Sequence, residues 1–447
     1  MEKIAVVGGG LVGGMEAAYL AQNGFNVDVF ERREDIRKAE LVAGKSINLA
    51  LSDRGWKALR GIGMEDKIRS IAIPMRGRKI HNAEGEQSFQ PYGIEDQSIW
   101  SVSRGGLNQL LLEKADSYKN CNLYFNHKCT GVDLETNTLS FEHNGETIQK
   151  TYDRIIGTDG AFSAVRKQLQ KSDRYNYSQY YLEHGYKELI IPSAPENIHQ
   201  IDPNALHIWP RGGFMLIALA NLDGSFTVTL FLPFEGENSF EKLNNNAEVE
   251  KFFKKEFPDA LEMMPDLLND YNTNPTGSLV TVRSYPWNYK DKILLMGDAA
   301  HAIVPFYGQG MNAGFEDCSV LDELMKEHKN NWNDAMPAYT ESRKRNGDAI
   351  ADLAFRNFIE MRDLTAHPEF LLRKKIEAWF TKKHPEKWLP LYSQVTFSHI
   401  PYADAVANAK KQDAIMDMVM DLDDINDNWE SDEVELFLLK AIDDLNN

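Results

Sequence analysis

The hydrophobic and polar positions change rhythm along the chain. Lys3 to Val7 is an almost unbroken apolar run, as expected of a strand covered on both faces. Helical spacing follows to about Asn23, and a second short strand is predicted from Asn26 to Phe30. Two more buried strands are expected at Arg154 to Gly157 and at Ile293 to Met296. From about Tyr177 to Leu232 the rhythm becomes alternating. There Phe226, Val228 and Leu230 share one strand face and Thr227, Thr229 and Phe231 the other, while Met215, Ile217 and Leu219 fall together. Met75 to His81 and Ser98 to Ser103 read as strands of a sheet other than the first, with Arg76, Arg78 and Ile80 on one face of the former. Helices are predicted around Arg54 to Ile62, from Leu107 to Ala115 behind Arg104, across the polar connection 238–272, and almost throughout after Met311. The acidic tail from Asp413 keeps helical spacing at Val434, Phe437, Leu438 and Ile442, so it is expected to dock.

The turns between these elements hold the candidate chemistry. Gly8, Gly10, Val12 and Gly13 stand between the first strand and its helix, and Phe30-Glu31-Arg32-Arg33 ends the second strand. Strand, glycine turn, helix, strand and acid together form the dinucleotide fingerprint in its required context. Gly8 makes the tight turn, Gly10 admits a pyrophosphate, Gly13 lets helix pack on strand, and Glu31 accepts from a ribose. The motif does not separate FAD from NAD. Asp159-Gly160 follows the third buried strand as D-G-x-x-S-x-V-R, and Gly297-Asp298 follows the fourth. A glycine-containing loop with Pro305 and Phe306 then leads into a helix whose first amides, at Met311 and Asn312, point back into it.

Composition narrows the classes. Across 447 residues the chain has room for two to three domains, and its 43% hydrophobic and 26% charged content is that of a globular protein. A net charge of −18 argues against nucleic acid and anionic membrane surfaces. Three cysteines without C-x-x-C spacing point to reduced thiols and a cytoplasmic setting, and no histidine cluster suggests a metal. No apolar window is long enough to span a membrane, and the N-terminus shows no signal-peptide pattern.

The three blocks, in this order, resemble the FAD-dependent aromatic hydroxylases, the single-component flavoprotein monooxygenases. GKSINLALSDRG, IPMRGRKIH, PYG, SVSR, LHIWPR, GDAAHAIVPFYGQGMNAGFEDC, NFIEMR and LPLYSQVTFSHI narrow the resemblance to the kynurenine-hydroxylating branch, from about residue 4 to residue 402. GDAAHA belongs to the whole class, whereas HAIVPFYGQGMNAGFEDC and NFIEMR are far more specific. Lys45 stands where the branch usually has arginine and Tyr307 where phenylalanine or histidine is expected.

The resemblance implies an α/β fold: a Rossmann-type FAD-binding domain with an inserted β-sheet substrate domain and a C-terminal helical segment. The expected division is 1–70, 100–175 and 275–360 for FAD, 71–99 and 176–274 for substrate, and 361–447 for the helical segment. It implies non-covalent FAD held by Val12, Glu31, Arg33, Ala50, Arg104, Cys129, Asp298, Met311 and Asn312, beside the fingerprint residues above. L-Kynurenine is expected at Arg78, Tyr92, Asn357 and Tyr392, between walls of Leu206, Ile217, Leu219 and Phe231, with Pro305 and Phe306 beside the flavin. The implied reaction uses NADPH, as a transient co-substrate, and O2 through a flavin C4a-hydroperoxide, so no side-chain acid, base or nucleophile is required. A membrane anchor, present in some relatives, is not expected. Two other readings stay open: a hydroxylase of another aromatic substrate, and a non-catalytic flavin-binding protein that docks partners through its acidic tail. A flavin-dependent halogenase would show W-x-W-x-I-P, which is absent.

Overall fold

A computed structural model describes residues 2–38, 48–93, 97–360 and 368–446. Gly44, Lys45, Ser46 and Ile47 of the first quoted motif, and Met361 and Arg362 of NFIEMR, lie outside the described residues.

The apolar runs form the centre of a six-stranded sheet. Its order is Asn288–Tyr289, Ile293–Leu295, Arg154–Gly157, Lys3–Val7, Asn26–Phe30 and Cys121–Tyr124. All neighbours are parallel except the first pair. Parallel strands need cover on both faces. The helices Leu11–Gln22, Arg104–Asp116 and Gly310–Glu327 pack together on one side. On the other a three-stranded antiparallel sheet covers them, with Phe141 stacked on Phe30 at 4.2 Å.

The alternating region forms a seven-stranded sheet in the order Thr276–Tyr285, Asn176–Ile191, Phe226–Pro233, Met215–Ala220, Ala205–Pro210, Gly77–His81 and Gln87–Pro91. One face is sealed by the helices Asn246–Glu256, Pro258–Leu261 and Leu267–Thr273, which bury Leu216, Val228, Leu230, Phe253 and Phe257 in a common core. The opposite face turns Ile208, Met215 and Phe231 toward Phe306 and the helix Trp332–Ile359. The Met215–Ile217–Leu219 face expected from the alternation is therefore the face turned away from the helical cover.

The single strand expected from Met75 to His81 is two. Ala72–Met75 belongs to a small sheet with Asn48–Leu51 and Ile99–Ser103, and Gly77–His81 belongs to the large one. The break falls at Arg76, which is exposed and donates its amide to the Asn204 carbonyl at 2.8 Å. Arg76 thus leaves the face shared by Arg78 and Ile80.

The acidic tail docks. Val434, Leu438 and Ile442 are buried against Ile376, Phe380, Trp388, Met416 and Val419, and Phe437 packs at the edge. Among the described residues no helix is long and apolar enough to cross a membrane.

Candidate active site

The carboxyl ends of the neighbouring central strands bring Gly8, Glu31, Asp159 and Asp298 to one edge of the sheet, where a groove for a cofactor would lie. Gly8 adopts φ +107°, a conformation that a side chain disfavours, and its amide donates to the Phe30 carbonyl at 2.8 Å. Gly13 backs onto it so closely that a Cβ would lie 1.8 Å from the Gly8 oxygen. Over Gly10 a Cβ would meet nothing within 4 Å. Glu31 is buried, with Oε2 accepting from the Gly9 amide at 2.9 Å and Oε1 from Arg33, at 3.0 Å from the amide and 2.8 Å from Nε. Burial alone would raise its carboxyl, and the bonds from Arg33 and Gly9 outweigh burial, so Glu31 is anionic. Arg32 and Arg33 are exposed beside it. Phe30 departs from expectation: its ring belongs to the core between Tyr124 and Phe141, because the Asn26–Phe30 strand alternates it away from the groove.

Asp159 sits at the end of the neighbouring strand. Its Oδ2 accepts from the Ala164 amide at 2.7 Å and the Val165 amide at 3.3 Å, whereas Oδ1 is buried without a partner among the described residues. Burial raises its carboxyl. Cys129 is half-buried nearby, and burial pushes its thiol up to about 12. Val12 packs against Gly297, where a Cβ would come within 2.9 Å of Cγ2. Asp298 is open to solvent yet enclosed by protein mass on its other sides. Burial therefore raises its carboxyl, against the pull of His301 and Arg104. A carboxyl in that position lines a groove. Arg104 is exposed at the start of its helix.

At the far end, the Asn312 side chain is a brace. Its Oδ1 accepts from the Ser52 amide at 2.9 Å, and Nδ2 donates to Ala50 at 2.8 Å and Gly308 at 2.9 Å. This fixes Ala50 against the loop and leaves the Met311 and Asn312 amides in the first turn of the helix Gly310–Glu327. The open space over Gly10, the unpartnered Asp159 oxygen and the groove-lining Asp298 fit an FAD.

Arg78 lies on the large sheet's face turned toward Phe306 and the helix Trp332–Ile359, beside Leu206 in the parallel register. Its Nε is buried, and among the described residues has no hydrogen-bond partner. Its guanidinium carbon is 5.5 Å from the Tyr92 ring and 5.1 Å from the Tyr392 ring. Tyr92 and Tyr392 stack at 5.1 Å, and Tyr307 stacks on Tyr392 at 5.7 Å. Among the described residues the buried Tyr92 hydroxyl likewise makes no well-formed hydrogen bond, although Arg78 and Tyr392 lie close to it. No carboxylate among the described residues lies within 4.0 Å of Arg78, although Glu360, at the end of the helix Trp332–Ile359, reaches it with its charge. An aromatic-flanked cation with no counter-ion in contact is a site for an anion.

Ile217 and Leu219 occupy the same face, packed with Leu206 and Tyr392, and Phe231 lies 5.0 Å from Phe306. Phe306 stacks on Phe358 at 4.3 Å, and Pro305 is exposed. The buried Asn357 donates to the Phe306 carbonyl at 2.6 Å, so it also steadies the turn Pro305–Tyr307.

Sequence reasoning missed the ionic network beneath both sites. His301 and Asp317 pair at 2.6 Å, and Asp317 also accepts from Gly297 at 2.9 Å and from Arg343 at 2.7 Å. Arg343 and Arg54 both grip Glu316, and Arg54 reaches the carbonyls of Val395 and Ile400. Adjacent acids at Glu316 and Asp317 in a helix otherwise destined for burial were the available signal, since buried carboxylates need cations.

The match to known proteins follows this geometry. Residues 1–354 match the family model described as an FAD binding domain. The chain is 52% identical to the kynurenine 3-monooxygenase of Flavobacterium johnsoniae over 98% of both chains. It is 47% identical to that of Dictyostelium discoideum, over 95% of this chain and 94% of that protein. The chain belongs to the kynurenine 3-monooxygenase family. It is a flavoprotein monooxygenase with an FAD-binding domain. The fold is shared with 2-methyl-3-hydroxypyridine-5-carboxylic acid oxygenase, at a TM-score of 0.67 and 18% identity over 83% of this chain and 95% of that one.

Proposed function

We propose that this chain hydroxylates L-kynurenine to 3-hydroxykynurenine, consuming NADPH and O2. The observation that carries the reading is Arg78, a cation among stacked tyrosines with no carboxylate in contact among the described residues, on a sheet face walled by apolar side chains. An amino-acid carboxylate is the anion that matches it, held by two parallel hydrogen bonds. The hydroxyls of Tyr92 and Tyr392 add donors, and Asn357 holds the turn that bounds the pocket. Leu206, Ile217, Leu219 and Phe231 then set the plane of the substrate ring and keep water out.

FAD, when bound, takes electrons from the nicotinamide co-substrate and activates oxygen for transfer to the ring. Glu31, Asp298 and Asp159 would receive its hydroxyls, and the space above Gly10 its pyrophosphate. The first-turn amides at Met311 and Asn312 would stabilise negative charge at its ring end. None of the chain's own residues needs to act as acid, base or nucleophile.

We assign 1–70, 100–175 and 275–360 to cofactor binding, 71–99 and 176–274 to substrate binding, and 361–447 to the helical segment that closes the site. The three free cysteines support a reducing, cytoplasmic setting. The purified protein is expected to be yellow and to oxidise NADPH only when kynurenine is added, with a product heavier by one oxygen atom. A flavin-loaded protein without kynurenine-dependent turnover would instead favour another aromatic substrate or a non-catalytic role.

A further inference from the structure

The end of the large sheet's outer pair of strands stands against the helix that carries Asp298. Asn176–Ile191 and Thr276–Tyr285 pair antiparallel, with Tyr177 opposite Ser284 and Ser178 opposite Arg283. The Ser284 hydroxyl donates to the Ala300 carbonyl at 2.9 Å, and the Val282 amide to that of Ala302 at 2.8 Å. The second strand therefore leans on the short helix Asp298–His301. Arg166 secures the same helix from the Asp159 side, donating to the Ala299 carbonyl at 2.7 Å and the Ala161 carbonyl at 2.5 Å. It is 3% exposed, and among the described residues its Nε has no hydrogen-bond partner and its charge is paired with no carboxylate. Its guanidinium carbon is 5.0 Å from the Tyr177 ring.

A cavity of about 470 Å³ opens at this end of the strand pair. Tyr177, Ser178, Ser284 and Tyr285 line it, together with the cations Arg283 and Lys344. Tyr177 is 38% exposed and Tyr285 42%, so both rings keep apolar area that a flat ligand would cover. Arg283 pairs with Asp352 and Asp348, and Lys344 with Asp348, so with Arg166 three cations meet two carboxylates here. Behind the wall, the Tyr175 hydroxyl lies close to Ser284 and makes no well-formed hydrogen bond among the described residues. The positive excess continues along the chain. Residues 160–182 carry four basic side chains and one acidic, in a protein of net charge −18.

A carboxylate would gain little from cations that already hold two acids. A phosphomonoester, with about two negative charges at neutral pH, can compete with those acids. Aromatic rings beside the cations select a flat base joined to that phosphate. We propose that this cavity binds the 2′-phosphorylated adenosine end of the nicotinamide co-substrate, with Arg283 and Lys344 on the phosphate and Tyr177 and Tyr285 against the base. This rests on the reading above that NADPH is consumed. Arg166 lies too deep to touch the ligand and adds a fixed positive field beneath Tyr177. The volume suits one nucleotide, so the nicotinamide end stays outside, free to turn past Asp298–His301 toward the flavin. FAD does not compete for the cavity. Its adenosine end is assigned to Glu31 after Asn26–Phe30, and Lys3–Val7 and Arg154–Gly157 separate that strand from Ile293–Leu295, which leads to Asp298. Three strand spacings keep the two adenosine ends about 14 Å apart.

The test is calorimetry on FAD-loaded protein with adenosine 2′,5′-bisphosphate, 5′-AMP and inorganic phosphate as probes. The bisphosphate should bind about tenfold tighter than 5′-AMP, compete with NADPH and leave the kynurenine KM unchanged. Arg283→Gln and Lys344→Gln, both at partly exposed side chains, should each weaken the bisphosphate and raise the NADPH KM about tenfold. Binding of 5′-AMP, the KM for NADH and the flavin content should keep the parent's values, which separates loss of a phosphate contact from loss of fold. Tyr177→Leu should weaken both nucleotides alike. Bisphosphate affinity unmoved in both glutamine variants overturns the proposal. So does inorganic phosphate or 5′-AMP binding as tightly as the bisphosphate, the mark of a bare anion site. Variant-sensitive bisphosphate binding in a protein that oxidises no NADPH with kynurenine would remove the kynurenine reading and leave the site. Kynurenine-dependent NADPH oxidation with an unmoved NADPH KM in both variants would do the reverse.

Discussion

At Gly10 a methyl group would meet open space, and at Gly13 it would strike the Gly8 oxygen. The two positions therefore separate cofactor from fold. Gly10→Ala should fold normally yet lose about 1–3 kcal/mol of FAD affinity, roughly five- to 150-fold in Kd, because the methyl enters the cofactor's space. Gly13→Ala should lower the thermal midpoint of the protein even without flavin. Flavin release measured by fluorescence, beside a melting curve, checks both. Arg78→Leu should raise the kynurenine KM by a factor corresponding to about 2–5 kcal/mol, with flavin content unchanged. Arg78→Lys should recover only part of this, since an ammonium cannot form the bidentate fork. Asp317 adds a pH dependence. Burial alone would raise its carboxyl, yet His301 and Arg343 hold it at about 2. Its contribution to stability is thus complete above the ordinary 3.8 and is lost as pH falls toward about 2. Asp317→Asn should flatten that acid limb of denaturant unfolding curves and cost about 3–5 kcal/mol at neutral pH, because buried Arg343 is left with Glu316 alone and His301 loses its carboxylate.

At the scale of elements, the helix Asp432–Asn446 offers a matched pair of positions. Leu438 is fully buried and Leu436 is 66% exposed. Leu438→Ala should cost about 2–5 kcal/mol. Leu436→Ala should stay within about 0.5 kcal/mol of the parent. Equal effects in chemical denaturation would mean that the helix does not dock. Its docking was legible in the sequence because period and burial agree over four apolar positions. So were the central strands, whose apolar runs have no helical alternative of that length. The break at Arg76 was not legible. Ala72–Met75 and Gly77–His81 each have strand character, and only the pull of two separate sheets divides them. Phe30 misled for a related reason: it adjoins Glu31, but strand alternation sends neighbouring side chains to opposite faces. Arg78, Tyr92 and Tyr392 could be named from motif resemblance, whereas their stacking depends on elements that meet only in three dimensions.

At the scale of the molecule, Arg54 joins parts that the sequence keeps far apart. Its fully buried side chain binds Glu316, lies 4.0 Å from the Tyr402 ring, and donates to the Val395 carbonyl at 2.9 Å. The helix Leu391–Thr396, which carries Tyr392, is thereby tied to the helix that opens the flavin groove. Arg54→Ala should cost about 3–5 kcal/mol, the penalty for stranding buried Glu316 with one cation fewer. It should also raise the kynurenine KM more than it weakens FAD binding. Faster hydrogen exchange across 391–400 would show that the tether has gone, and unchanged exchange would place Tyr392 under other control. The same tether has a consequence for how the protein is made. Arg54 leaves the ribosome 341 residues ahead of Val395 and has no carbonyl there to receive it until synthesis is almost finished. The groove built from Gly8 to Asn312 can assemble while the last helices are still being translated. A stalled nascent chain is therefore expected to hold flavin before it can hold an amino acid, so that the oxygen-handling half matures first and waits for its substrate pocket to be closed.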